Sequence, residues 1–434
     1  KRKMNKKKVL IITYYWPPSG GAGVQRWLKF VKYLENFNWQ PIIYTVENGE
    51  FPVIDLELEK EVPDNIEVIK QPIWEPYKFY KKFTGRKKDD KINTGFLSEG
   101  KKSKFFEGLS VWIRGNFFIP DARKFWIKPS IKYLSNYILK NKIDVIISSG
   151  PPHSCHLIAL ELKNKFSLKW IADFRDPWTN IDFYDKLKLS KYADKKHKSL
   201  EKQVLTNADI ILSVGRTLGD ELKYLGAKRV EVIENGYDAE DVKDIEKIDL
   251  DYKFTIAHIG SFSPSRNHPV LWKALTELIN TNNEFAANFN LKLVGKVDVS
   301  VFEEIKKNKL NDYVIHIPYL SHKDVIKEQR KSHLLLLSVN NTPNALGIVT
   351  GKVFEYMASG RPTLIIGPKD GDVAQIITEC KAGIICEFNE LNKLKETILG
   401  FYNKKYSIVP NAEKYSRLEL TEKLAKTLNS IINY

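Results

Sequence analysis

A rhythm that plays twice constrains this chain more than any other feature. Short β-rich runs alternate with helical stretches, pause, and then alternate again. Candidate strands of the first stretch are 9–14, 41–46, 66–70, 144–149, 169–174, 209–214 and 230–234. Between the first two, Val24, Trp27, Leu28, Val31 and Leu34 fall on one helical stripe. The second stretch offers strands at 255–259, 291–294, 314–317, 334–338, 362–366 and 383–386. Ser321 opens one of its helices, with Asp324 at the third position. Such alternation means a parallel sheet covered by helices on both faces. The pause at 235–253 is polar, acidic and poor in pattern, and reads as a linker. The expectation is two doubly wound α/β domains, 1–238 and 253–410, joined by a linker at 239–252. The closing amphipathic stretch, 411–434, is expected to pack back on the first domain. Ligands of such sheets bind at the carboxyl ends of the strands, so the cleft between the domains is the expected active site.

Composition narrows the class. With 434 residues, the chain is too long for one ordinary core, and 43% hydrophobic with 28% charged residues reads as globular. No apolar stretch approaches the ~20 residues that span a bilayer. The basic start "KRKMNKKK" leads into a short apolar run and then "PPSGG", which reads as a first strand rather than a signal peptide. Cys155, Cys380 and Cys386 form neither a metal spacing nor a disulfide framework, as in a cytoplasmic protein. The net charge of +16 favours polyanionic partners. Basic and aromatic residues interleave across 78–128, a pattern suited to peripheral contact with an anionic membrane or simply to a solvated basic face. Single-stranded nucleic acid uses the same residue types, but no RNA-binding signature or zinc knuckle is present, and no nucleic acid is expected.

The first strand runs into "YYWPPSGGAGVQRW", with Gly20, Gly21 and Gly23 ahead of a helix. A dinucleotide fingerprint wants a third glycine where Arg26 stands, so that helix and strand pack closely. Two prolines also lengthen and stiffen the loop. The double glycine at a helix start still exposes N–H groups suited to an anionic oxygen.

The second half carries more chemistry. Arg266 sits in "IGSFSPSRN" before a helix that starts near His268, where a guanidinium suits a diphosphate. In "NALGIVTGKVFEYMASGRP", Gly347 and Gly351 flank a bend, and a helix follows with Lys352, Glu355 and Tyr356. Glu355 is placed to accept bonds from both hydroxyls of a ribose, or simply to complement the helix dipole in the first turn.

These motifs together, with "DFRDPW" and "VIENGYD" in order between them, resemble the large glycosyltransferase family 4 group. The resemblance spans nearly the whole chain. It implies the GT-B fold, two Rossmann-like domains facing a central cleft. It also implies retaining transfer of a sugar from a nucleoside-diphosphate sugar, a co-substrate rather than a cofactor, without a metal. By that resemblance Glu355 matches the family's second glutamate, which binds the donor ribose, while the first is replaced by Gly347. Arg266 matches the basic diphosphate ligand, and its usual partner arginine is replaced by Ser261. Lys352 is the candidate to supply the missing cation.

In the first domain, the strand end "KWIADFRDPW" presents Asp173, Arg175 and Asp176, where the family often presents a histidine. Arg175 or Asp176 takes that place: a carboxylate to stabilise oxocarbenium-like charge or receive a proton, an arginine to hold an acidic sugar or leaving phosphate. The plain alternative is a buried Arg–Asp pair. His153 is a candidate contact to acceptor or donor, and His156 reads as a structural helix cap. Asp370 with Asp372, and Asp249 with Asp251, read as accidents rather than a metal site.

The resulting expectation is a cytoplasmic, membrane-peripheral glycosyltransferase that builds a surface polysaccharide or glycolipid. The donor would meet Arg266, Ser261, the Gly347–Lys352 loop and Glu355. A glycan or lipid-linked acceptor would meet Gly20, Gly21 and His153. A sugar-nucleotide epimerase on the same fold and a non-catalytic relative are the rivals.

Overall fold

Val9, Leu10, Ile11 and Ile12 are all fully buried, yet they divide between two cores. Leu10 and Ile12 point to one face of the sheet, and Val9 and Ile11 to the other, as the period of two requires. A strand buried on both faces demands helices on both, and this sets the layering of everything that follows.

The computed structural model describes residues 6–51, 53–75, 104–243, 248–318 and 320–432. They form two units, Lys1–Glu234 with Leu420–Tyr434, and Asn235–Glu419. The first unit holds β1 (Lys7–Ile12), β2 (Trp39–Val46), β3 (Glu67–Gln71), β4 (Val145–Gly150), β5 (Lys169–Phe174), β6 (Ile210–Ser213) and β7 (Val230–Val232). They run parallel in the order β3-β2-β1-β4-β5-β6-β7. The second unit holds β8 (Phe254–Ile259), β9 (Phe289–Val294), β10 (Val314–Ile317), β11 (Leu334–Ser338), β12 (Thr363–Ile366) and β13 (Gly383–Cys386). Their order is β10-β9-β8-β11-β12-β13, again all parallel. Each strand expected from the sequence forms, with ends shifted by at most two residues. Strand order reverses between β1 and β4 and between β8 and β11. In a doubly wound sheet, those are the places where ligands bind.

Leu420, Leu424, Ala425, Leu428 and Ile431 of the helix Arg417–Ile432 share a core with Val24, Trp27 and Val31 of the helix Ala22–Leu34. The expected linker at 239–252 differs from the structure. These residues belong to the second unit, which begins at Asn235. Part of the stretch is the helix Ala239–Lys243, and Asp251 accepts a 2.7 Å bond from the buried Lys292 ammonium of β9. The Tyr237 N–H donates to the Tyr415 carbonyl, and the Arg417 N–H to the Tyr237 carbonyl, tying 235–237 to 415–417. A polar stretch with fixed partners is poor in hydrophobic pattern without being a free linker. Of the basic run 78–128, residues 78–103 lie outside the described residues, and the helices Lys104–Phe117 and Lys124–Lys140 follow.

Candidate functional site

At the carboxyl end of β8 the chain turns through Gly260, whose φ of 107° lies in the left-handed region. An added Cβ there would stand 2.4 Å from Lys352 Cε and 2.6 Å from its Nζ. Glycine therefore lets the lysine lie on the bare backbone. The Lys352 ammonium donates to the Ser261 carbonyl at 3.2 Å. Arg266, from the short turn Pro264–Arg266, donates to the same carbonyl through Nη1 at 3.0 Å, while its Nε donates to Asn340 Oδ1 at 2.7 Å. Two cations from segments far apart in sequence thus meet on one oxygen beside the β8/β11 switch point.

The buried His258 ring lies beneath them, with Nδ1 3.1 Å from the Leu336 carbonyl and Nε2 3.3 Å from the Ser261 carbonyl. Burial, then the Lys352 charge, hold His258 well below its usual range, so the ring is neutral and brings no third charge. Lys352 is partly accessible but crowded by protein. That crowding and the neighbouring Arg266 lower it to about 7, against the opposing pull of Glu355.

Lys352 opens the helix Lys352–Ala358, with Gly351 before it and Glu355 one turn on. Tyr356 of this helix fixes it to β8: its hydroxyl accepts from the Ile259 N–H at 2.9 Å and donates to the Ile259 carbonyl at 3.2 Å. Glu355 is half-buried, and burial pushes its carboxyl above the usual range, against His322, Lys352 and a hydrogen bond from Gln329. Gly347 ends the short turn Ala345–Gly347, and Ser261 contributes its backbone rather than its hydroxyl. Arg266 and Lys352 thus meet at the Ser261 backbone, with Glu355 one turn further along the same helix as Lys352. Gly260, Asn340 and Gln329 escaped the sequence reading, because a glycine and an amide in loops, and an amide on the buried side of the helix His322–Lys331, carry no local pattern.

The first unit places its candidates around a cavity of about 330 Å³. Its walls include Tyr15, Arg114, Phe118, His153, Asp176 and Trp178. His153 precedes the helix Ser154–Phe166 and stacks face to face on Trp178, centroids 4.3 Å apart. Burial, then the neighbouring histidines, keep it well below its usual range, so it is neutral. Asp176 is open to solvent on the cavity wall yet hemmed in by protein, which pushes its carboxyl up despite Arg175 beside it. His156 differs from the expected helix cap. Its ring lies in the core, Nδ1 2.8 Å from the Ser148 hydroxyl and stacked on Phe174.

Arg175 does not line the cavity. Its Nη1 donates to the Gly23 carbonyl at 3.1 Å and its Nη2 to the Pro151 carbonyl. It ties the first glycine loop to the turn that carries His153. A buried Arg–Asp pair does exist, but it joins Arg26 to Asp173 at 2.9 Å, both side chains inaccessible. Trp27 Nε1 and the Ser149 hydroxyl also donate to Asp173, at 2.9 and 2.8 Å. Gly21, at φ 93°, precedes the helix with no atom within 4 Å of an added Cβ, whereas Gly20 is closed in by Val53 and Asp55.

Residues 239–419 match the family described as glycosyl transferases group 1, and residues 95–241 match glycosyltransferase family 4. An uncharacterized glycosyltransferase of Methanocaldococcus jannaschii is 26% identical over 310 residues, 69% of this chain and 79% of that protein. This protein is a GT-B-fold glycosyltransferase resembling family 4. Among solved structures, S. aureus TarM, in complex with fondaparinux, alpha-GlcNAc-glycerol and UDP, shares the glycosyltransferase's fold. The TM-score is 0.57 at 12% identity, over 98% of both chains. A putative UDP-N-acetylglucosamine 2-epimerase from Listeria monocytogenes has a TM-score of 0.54 at 13% identity, covering 98% of this chain and 96% of that one. The fold is thus shared with a protein of another described activity, and the glycosyltransferase assignment rests on the sequence matches.

Proposed function

We propose that the second unit holds a nucleoside-diphosphate sugar, and that the enzyme transfers its sugar, with retention and without a metal, to a glycan or lipid-linked acceptor at the first unit. The observation that carries this reading is the meeting of Arg266 and Lys352 on the Ser261 carbonyl. Two cations beside a strand end suit a diphosphate, because both can donate charge-assisted bonds as the leaving phosphate gains charge. Lys352 then supplies the cation that Ser261 does not. Glu355, one turn into the helix, accepts the ribose hydroxyls. Asp176 and the neutral His153 are the polar groups offered to an acceptor in the cavity, with Asp176 receiving or orienting its hydroxyl proton. Arg175 acts as a positioning residue. In the first loop, Gly21 brings bare backbone to the acceptor side, while Gly20 is held against Val53 and Asp55. An enzyme that extends surface polysaccharide or glycolipid in the cytoplasm works beside an anionic membrane, and peripheral contact belongs to this reading.

The test is a thermal-shift panel of nucleoside diphosphates and their sugars on the full chain. At least one nucleoside diphosphate is expected to stabilise it, and Lys352→Ala to weaken that ligand about tenfold or more, as for loss of a charged hydrogen bond. A panel without any stabiliser, or a Lys352→Ala protein with unchanged affinity, would refute the donor site. With donor alone, no epimerised sugar is expected.

A further inference from the structure

Beside the cavity of the first unit lies a surface that the transfer reaction does not use. The helix Lys104–Phe117 exposes Trp112, Ile113 and Phe117, the last at 59%. Trp112 and Phe117 meet edge to face at 5.7 Å. Phe125, at the start of the helix Lys124–Lys140, is also exposed and meets the exposed Trp74 at 4.7 Å. Phe118 joins the two groups, 6.2 Å from Phe125. Large apolar side chains gathered in one exposed place mark an interaction surface.

Charge accompanies them. The Lys124 ammonium lies 5.2 Å from the Phe118 ring and 5.1 Å from the Phe125 ring, and donates to the Phe117 carbonyl. Lys128 and Lys132 follow at four-residue spacing, so the three lysines share one helix face, and the last two are exposed. Arg114 is exposed on the neighbouring helix. Two carboxylates close by are engaged internally: Glu75 pairs with the buried Arg123, and Asp121 accepts from the Ser154 hydroxyl and N–H.

We infer that this face docks on an anionic lipid bilayer, with Trp112, Ile113, Phe117 and Phe125 entering the headgroup region and Lys128 and Lys132 meeting lipid phosphates. Aromatic anchors beside lysines are the combination that an anionic interface rewards. A second copy of the chain fits less well, since a two-fold contact would set like charges against one another. Phe118 and Arg114 belong to both the face and the cavity wall. The acceptor cavity therefore adjoins the docked surface, which selects a lipid-linked acceptor over a free glycan. This choice rests on the glycosyltransferase reading given above; the docking itself does not.

The experiment is sedimentation of the full chain with phosphatidylcholine vesicles, with and without about a third of phosphatidylglycerol. Binding is expected only with the anionic lipid and is expected to fall at high salt. Lys128→Glu and Lys132→Glu should each weaken it about fivefold or more, the worth of a basic residue near such a surface. Phe117→Glu should weaken it at least as much. In each variant the thermal shift with nucleoside diphosphate should equal that of the unaltered protein, which separates a docking failure from a donor-site failure. Equal binding to neutral vesicles, variants that sediment like the unaltered chain, or a lipid-independent dimer that Phe117→Glu dissociates would overturn the proposal.

Discussion

In the proposed donor site, Lys352 should make binding depend on pH in a direction that follows from its surroundings. The ammonium is crowded by protein and faces Arg266, and both depress it to about 7. A bound diphosphate reverses both effects by placing negative charge between the two cations. The lysine should then return toward the ordinary value of 10.5. The sign follows directly. Below pH 7 Lys352 is already charged and affinity is at its full value; above pH 7 each binding event must first add a proton to the lysine. Affinity should therefore fall by about tenfold per pH unit above neutrality, with uptake of about 0.9 proton per donor at pH 8. A nucleoside-diphosphate sugar is the right probe, because its phosphates keep a constant charge across this range. Isothermal titration in buffers of different ionisation enthalpy reads the proton uptake, and the dissociation constant from pH 6 to 9 reads the slope. Lys352→Gln should bind weakly at every pH and lose the slope, so any slope that survives belongs to another group. A flat affinity profile in the unaltered enzyme, with no proton uptake at pH 8, would refute the reasoning.

Three further outcomes follow from geometry. Gly260→Ala should displace Lys352, whose Cε would lie 2.4 Å from the new Cβ, and strain the backbone at φ 107°, costing roughly 1–2 kcal/mol of stability and weakening the donor, read by urea unfolding and titration. Asp173→Ala leaves the inaccessible Arg26 charge without its carboxylate, and should cost about 3–5 kcal/mol in the same unfolding assay, whereas a surface pair would cost far less. Gly21→Val places its Cβ clear of other atoms but must hold φ 93°, so turnover should fall several-fold more than donor affinity does; equal losses would place the loop in donor binding instead.

The sheets were legible because they are made of local signals. Most strands hold a short apolar run, and several of the turns between them are marked by glycine, proline or a capping residue. The boundary at 235 was not legible, since what holds 235–252 to the second unit is a set of backbone bonds and the Asp251–Lys292 pair, neither of which leaves a periodic trace. At the proposed donor site, charged residues announced themselves and their supports did not. Arg266 in a turn and Lys352 at a helix start stand out as cations next to glycine- and serine-rich segments, but the Asn340 amide that aims Arg266 and the bare Gly260 that admits Lys352 look like ordinary loop residues. The Arg26–Asp173 pair is separated by 147 positions, and no window along the sequence contains both.

That pair explains why the first glycine loop departs from a dinucleotide fingerprint. In a dinucleotide loop, the third glycine lets the helix press against the strand while the phosphates sit on the helix start. Here the residue at that place is Arg26, and the buried Asp173 carboxylate depends on it, with Trp27 and Ser149 supplying the remaining bonds. A glycine at 26 would leave that carboxylate uncompensated, so the arginine is a requirement of the core rather than a degraded motif. Gly23 has a matching explanation. An added Cβ would stand 2.6 Å from Arg175 Nη1, so the absence of a side chain at Gly23 makes room for that guanidinium. Through Arg175 the loop is tied to Pro151, two residues before His153. The loop and the histidine turn are consequently one structural piece, and Arg175→Lys, which keeps the charge but not the fork, should loosen both together.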